Sequence, residues 1–269
     1  MNHLDDYREE RSQLLRTISE KLEKDPTVKA AWLFGSLGRG DEDALSDLDL
    51  WVVVDDAHID PIRADPRQVT SQMGHPILFL EAPQNAPFAG AYLMTCYDAP
   101  VAPHIVDWYW QPQSHAFIPA QVRLLFDRAD LPHNDQPIRL ADPPPDNEIV
   151  ERPMHIISFF WMMLMINAKR AWRDPLAPEM ALLPYLIDPM TKIQQILSQS
   201  DPLRIDNLPP HSLPGEKIQL LYTLANQMRE WMAALVERGE QVPDLIAPGA
   251  YRYLEFVSKN ISANSSTRL

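Results

Sequence analysis

The stretch Asp142-Pro143-Pro144-Pro145-Asp146 divides the chain into two parts of different periodicity. Three consecutive prolines lack N–H donors and fix φ, so neither a helix nor a central strand runs through them. Ahead of that stretch, Val28 to Phe34, Leu48 to Val54, Ile77 to Leu80, Ala91 to Tyr97, Ile105 to Trp110 and Val122 to Phe126 are short apolar runs punctuated by Pro, Gly and Asp. Such runs predict strands. Leu4, Tyr7, Leu14, Leu15, Ile18 and Leu22 recur at helical spacing and predict an amphipathic helix ending near Asp25-Pro26. Strands this close in sequence, with few helical patterns between them, predict a mixed rather than purely parallel sheet. Beyond the prolines the pattern changes. Glu148 to Arg173, Leu176 to Gln199, Glu216 to Glu237 and Gly249 to Val257 predict helices. The expected fold is therefore an α+β domain, a mixed β-sheet with flanking helices, followed by an all-α helical bundle. The expected domains are residues 1–145 and 146–258, with 259–269 as a flexible polar tail.

Charge narrows the partners. The chain has 24 Lys and Arg against 37 Asp and Glu, a formal charge of −13. A broad nucleic-acid footprint needs a basic face, which disfavours a nucleic-acid partner and a template-directed polymerase. Cys96, the single cysteine, can form neither an internal disulfide nor a thiolate metal cluster. Asp5, Asp6, Glu9 and Glu10 give an N-terminus unlike a signal peptide. The run Ile156 to Ala168 is too short to span a bilayer. A cytoplasmic protein with no membrane partner is the expectation, and oligomeric state is not legible.

Three of the eight glycines, Gly35, Gly38 and Gly40, fall in Phe34-Gly35-Ser36-Leu37-Gly38-Arg39-Gly40. Ser46-Asp47-Leu48-Asp49-Leu50 follows shortly after. A strand thus delivers a Gly-Ser turn, and the next strand begins with two aspartates at i and i+2. Alternation points Asp47 and Asp49 to the same side. Two carboxylates on one face repel unless a cation lies between them. Oxygen ligands without Cys or His suit Mg²⁺ or Mn²⁺ rather than zinc. Backbone N–H groups and the hydroxyl of the Gly-Ser turn suit phosphate oxygens. Asp107 is an acid inside the apolar strand Ile105 to Trp110, a placement that needs a partner or a function.

These residues resemble the nucleotidyltransferase superfamily that includes DNA polymerase beta. The resemblance implies that Gly35 and Ser36 bind a nucleoside triphosphate and that Asp47, Asp49 and Asp107 hold two metal ions, Mg²⁺ or Mn²⁺. Ser46 and Arg39 are further nucleotide-binding candidates within the motif. The chain is also similar to bacterial aminoglycoside 6-adenylyltransferases. Ile77-Leu78-Phe79-Leu80-Glu81-Ala82-Pro83, Ala91-Tyr92-Leu93-Met94, Ile105-Val106-Asp107 and Gln111-Pro112 follow that family's order, as does Leu124-Leu125-Phe126-Asp127. In the second part Phe160-Trp161, Ala168-Lys169 and Trp172-Arg173 resemble its aromatic and Ala-Lys…Arg helix. The turn Asp98 to Pro103 departs from the pattern by its length and lack of glycine, and little matches after Arg173.

Lys169 and Arg173 are four residues apart and share a helix face, where Lys169 is the stronger candidate for a triphosphate contact. Trp161 to Met165 read as packing, and His104 as a strand-edge residue. The expected reaction is transfer of AMP from ATP to a hydroxyl of a small acceptor, in a cleft between the two domains. An acidic protein suits a cationic acceptor, and the resemblance implies an aminoglycoside-type antibiotic, hence antibiotic resistance. Asp107 is the first candidate for the general base and Glu81 a weaker one. The alternative is a non-catalytic nucleotide-binding or antitoxin-like interaction protein of the same fold.

Overall fold

The computed structural model describes residues 3–136, 138–140, 152–177, 180–198 and 213–266. The Asp142 to Asp146 stretch, where the sequence places the domain boundary, lies outside the described residues. The chain divides into two compact units, Met1–Pro100 with His104–Asp146 and Val101–Pro103 with Asn147–Leu269. The short piece Val101–Pro103 thus groups with the helices although it lies between two strands.

The first unit opens with α1 (His3–Lys24). Strands β1 (Val28–Leu33) and β2 (Leu48–Val54) flank a single helical turn, α2 (Gly35–Arg39). Two short helices, α3 (Ile59–Ala64) and α4 (Pro66–Thr70), come next. They precede β3 (Pro76–Leu80), β4 (Ala91–Tyr97), β5 (His104–Pro112) and β6 (Arg123–Asp127). The strands form one six-stranded sheet in the order β3-β4-β5-β2-β1-β6. β2 and β5 run parallel and the other neighbours antiparallel, so the sheet is mixed, as its strand spacing predicts. The sequence reading missed α3 and α4. Each spans about one turn, too short for a helical period to emerge, and Pro66 at the start of α4 read as punctuation.

Alternation sorts each strand onto two faces. Leu48, Leu50, Val52 and Val54 of β2 join Val106, Trp108 and Trp110 of β5 in one apolar cluster. Ile18 and Leu22 of α1, Ile59 of α3 and Met73 also belong to that cluster. Each such side chain stabilises the fold by about 1.5–3 kcal/mol on burial. The opposite face carries Trp32, Trp51 and Val53, packed against Ala116, Ile118 and Leu131.

The second unit contains α5 (Pro153–Arg173), α6 (Pro184–Ile196), α7 (Pro214–Glu237) and α8 (Ile246–Ser266). α5, α6 and α7 begin on proline, whose fixed φ suits the first turn and whose missing N–H costs nothing there. Glu216 caps α7 by accepting the Leu213 N–H at 3.0 Å. Phe160, Trp161, Leu164 and Met165 of α5 are fully buried, in line with packing. α8 continues past Val257, where the sequence reading ended its last helix. Among the described residues no helix is long and apolar enough to cross a membrane.

Candidate active site

β1 ends at Leu33, and the backbone N–H of Phe34 donates to the Asp49 carbonyl at 3.1 Å. That bond fastens the start of α2 to β2. Gly35 adopts φ +63°, and a Cβ built on it would lie 2.1 Å from Asp49 Oδ2. Any side chain here would displace the Asp49 carboxylate, so glycine is required both by conformation and by space. A Cβ on Gly38 would fall 2.7 Å from the Leu33 carbonyl oxygen. The segment read as a glycine-rich turn is thus one turn of helix pressed against a carboxylate.

Asp49 and Asp107 are partners in the parallel β2–β5 register. Alternation places both on the face that carries Trp51 and Tyr109. Asp107 is 8% exposed and accepts a hydrogen bond from the Tyr92 hydroxyl at Oδ1. Burial pushes the Tyr109 phenol up, and the negative charges of Asp107 and Asp49 push it further. Tyr92 is raised for the same reasons, with burial first and Asp107 second. Both phenols therefore stay protonated. Asp47 lies one residue ahead of β2, half-buried, and its charge acts on His104.

The loop before Asp47 is held from α1. Arg11 is 6% exposed and donates to the carbonyls of Asp43, at 3.0 Å, and Ser46, at 2.8 Å. The Ser46 hydroxyl donates to Asp43 Oδ1 at 3.1 Å and accepts from the Asp43 N–H at 3.0 Å, closing the turn on itself. Arg39 is exposed and forms a two-pronged pair with Asp41, Nε at 3.2 Å and Nη2 at 3.1 Å. Glu81, the weaker base candidate, pairs with Arg67 at 2.6 Å. Lys169 lies on α5 in the helical unit and is 6% exposed, and Arg173 lies in the last turn of that helix.

Sequence reasoning missed Arg11, Tyr92 and Tyr109. A signal existed for Arg11, which falls on the apolar stripe of α1, four residues after Tyr7 and seven before Ile18. Tyr109 follows Asp107 by two and shares its face. Nothing in the sequence ties Tyr92 to Asp107.

Residues 16–77 match the family model described as Polymerase beta, Nucleotidyltransferase. Part of the first unit is thus similar to a nucleotidyltransferase domain. The matched segment includes Gly35, Ser36, Asp47 and Asp49, while Asp107 lies beyond it. No curated protein matches the sequence. Among solved structures the chain is similar to the STING-associated CdnE c-di-GMP synthase from Capnocytophaga granulosa, at 12% identity and a TM-score of 0.28, over 98% of this chain and 83% of that one.

Nucleotidyltransferases of this superfamily use a nucleoside triphosphate and divalent metals. The donor set of the domain is chemically suited to such ions, since Asp47, Asp49 and Asp107 offer hard oxygens without thiolate. Among the described residues, however, no three His, Cys, Asp or Glu side chains are drawn together as a metal centre. Two carboxylates are neighbours in register and the third stands just ahead of its strand.

Proposed function

We propose that this protein transfers AMP from ATP to a hydroxyl of a small acceptor, with Asp47, Asp49 and Asp107 holding Mg²⁺ or Mn²⁺. One observation carries the reading. Asp49 and Asp107 share a register position on adjacent parallel strands, and the Gly35 backbone is pressed against the first of them. A cation bound between facing carboxylates relieves their repulsion, and glycine at position 35 lets the backbone of the turn lie against the Asp49 carboxylate.

In this reading Gly35 and Ser36 contact the triphosphate. The acceptor oxygen attacks the α-phosphorus, the bond to the β-phosphate oxygen breaks, and pyrophosphate leaves. Asp107 takes the acceptor proton, being the more buried of the two registered carboxylates and already fixed by Tyr92. Bound metal supplies charge neutralisation on the phosphates and activation of the hydroxyl. Glu81, committed to Arg67, is the poorer base. Arg39 reaches phosphate only by leaving Asp41, and Ser46 only by opening its turn. The Lys169 candidate rests on the resemblance of α5 alone. An aminoglycoside-type acceptor rests on that resemblance and on the −13 charge, which attracts polycations.

The test is thermal stability with ATP and Mg²⁺, followed by pyrophosphate release across an acceptor panel. A native-state ligand raises the midpoint by mass action. A metal-dependent shift that disappears in Asp47→Ala/Asp49→Ala supports the nucleotide site, and acceptor-dependent pyrophosphate release identifies the acceptor. Binding without pyrophosphate release for any acceptor would favour a non-catalytic nucleotide-binding protein. No shift at millimolar ATP would count against the site altogether.

A further inference from the structure

Strand pairing sets the register of Asp49 and Asp107, but it does not extend to Asp47. β2 begins at Leu48, its ladder with β5 starts at Leu48 and Val106, and its ladder with β1 reaches no further than Leu50. The backbone ahead of Leu48 is gripped from α1. Nη1 of Arg11 donates to the Asp43 carbonyl at 3.0 Å and to the Ser46 carbonyl at 2.8 Å. The second carbonyl belongs to the Ser46–Asp47 peptide, whose plane also carries the Asp47 N–H. Holding that oxygen sets the direction in which the chain enters Asp47. The turn itself is tied as well, since Asp43 Oδ1 accepts the Leu45 N–H at 2.9 Å and the Ser46 hydroxyl at 3.1 Å.

Packing alone would favour an apolar residue at position 11. Arg11 falls with Tyr7, Ile18 and Leu22 on the buried side of α1, and a buried guanidinium is costly unless its donors are used. Tyr7, Glu10 and Arg11 share a face at spacings of three and four. Tyr7 stacks on His104, and Glu10 Oε2 lies 3.7 Å from His104 Nε2. His104 is the first residue of β5. One turn of α1 therefore crosses the entry end of the parallel pair and touches the chain ahead of both Leu48 and Val106. We propose that Arg11 is a positioning residue for Asp47. Its two hydrogen bonds set where that carboxylate stands relative to the registered pair Asp49 and Asp107, so that a divalent cation draws on the third acid as well. The proposal rests on the nucleotidyl-transfer reading above. It gives the buried charge of α1 a purpose that an apolar side chain could not serve.

The experiment is a Mn²⁺ titration of the full chain, followed by the resonance signal of free Mn²⁺, well below the unfolding midpoint of each variant. Wild type is compared with Arg11→Met, Arg11→Lys, Asp47→Asn and Ile18→Ala, the last a cavity-forming control on the same helix. Loss of a group that orients a metal ligand typically weakens binding about 10- to 100-fold. Arg11→Met is expected to fall in that range, while Ile18→Ala keeps wild-type affinity although it too is destabilised. Arg11→Lys, whose ammonium can donate to both carbonyls as Nη1 does, is expected to recover affinity over Arg11→Met. Wild-type affinity in Arg11→Met, with Asp47→Asn impaired, overturns the positioning role and leaves the site reading intact. Equal weakening in Arg11→Met and Ile18→Ala overturns it also, because the effect then follows stability and not the grip on the turn. Equal Mn²⁺ binding by wild type and Asp47→Asn removes Asp47 from the metal site and the positioning role with it. Should Arg11→Met fail to fold, Arg11→Gln takes its place, its amide ending where the guanidinium begins. Unchanged affinity there overturns the proposal and a reduced one sustains it.

Discussion

On β2, Leu48, Leu50, Val52 and Val54 join the cluster formed with α1, α3 and Met73, while Trp51 and Val53 belong to the opposite face, which Asp49 shares by alternation. β5 repeats the division, with Val106, Trp108 and Trp110 on the first face and Asp107 and Tyr109 on the second. The two faces therefore lie one residue apart along the same backbone. The first is made of apolar contacts that rigidify the strands. The second uses that rigidity to hold two carboxylates in register, which relaxed strands would let drift apart. Stability and chemistry are separable here by a shift of a single position.

The sharpest way to break that comparison is to change neighbours. Leu50→Ala should cost about 2–5 kcal/mol by leaving a cavity, read from denaturant unfolding, while turnover per folded molecule is kept. Asp49→Asn should do the reverse, keeping the midpoint or raising it as repulsion with Asp107 is relieved. Its turnover should fall about a hundredfold to a thousandfold, as when a group that stabilises transition-state charge is removed. Equal loss of stability in both variants would show that the faces are not independent.

Arg11 joins the two faces, since it comes from α1 and grips the loop ahead of Asp47. Arg11→Met should cost about 1–3 kcal/mol by leaving the Asp43 and Ser46 carbonyls without their donor. Turnover should drop as well, unlike in Leu50→Ala. A stability loss with full activity would assign Arg11 to the fold alone.

His104 gives a pH signature to the helix-covered side. It is 3% exposed and stacks on Tyr7 at 4.1 Å, with Nε2 3.7 Å from Glu10 Oε2. Burial lowers its pKa, outweighing the opposing pull of Glu10. The unfolded chain then binds the proton more readily, so stability should decline as pH falls through the ordinary histidine range, near about 6.5. Midpoints at several pH values should show a shallower decline in His104→Phe. The smallest effect is expected at Glu81. Its pair with the half-exposed Arg67 is worth up to about 1 kcal/mol, and Glu81→Gln should leave turnover unchanged. A large loss of activity there would move the general base away from Asp107.

Much of the fold was readable because local periods are imposed by backbone geometry. Six apolar runs are six strands, with ends moved by a residue or two, and the four later helices overlap the runs that predict them, although α6 begins at Pro184 rather than Leu176 and α8 continues to Ser266 rather than Val257. α3 and α4 were not readable, because neither is long enough to show a period. Of the candidate site, the Gly35–Asp49 association was implied by a turn between consecutive strands. Arg11 could have been found as a charge on an apolar stripe. The pairing of Arg39 with Asp41, only two residues away, was also local and within reach.

By itself the sequence determined which residues alternate. It placed Asp47 and Asp49 at a spacing of two, Asp107 inside an apolar strand, and glycine where the chain leaves β1. Tertiary structure alone decided that Asp107 faces Asp49 across a parallel pair, that Tyr92 reaches Asp107, and that Glu81 is already engaged by Arg67. The physical reason is range. Side-chain direction follows from the backbone torsions of adjacent residues, whereas strand order follows from how the whole sheet buries its apolar face under α1, α3 and α4. The register of two carboxylates far apart in the chain is a consequence of that burial.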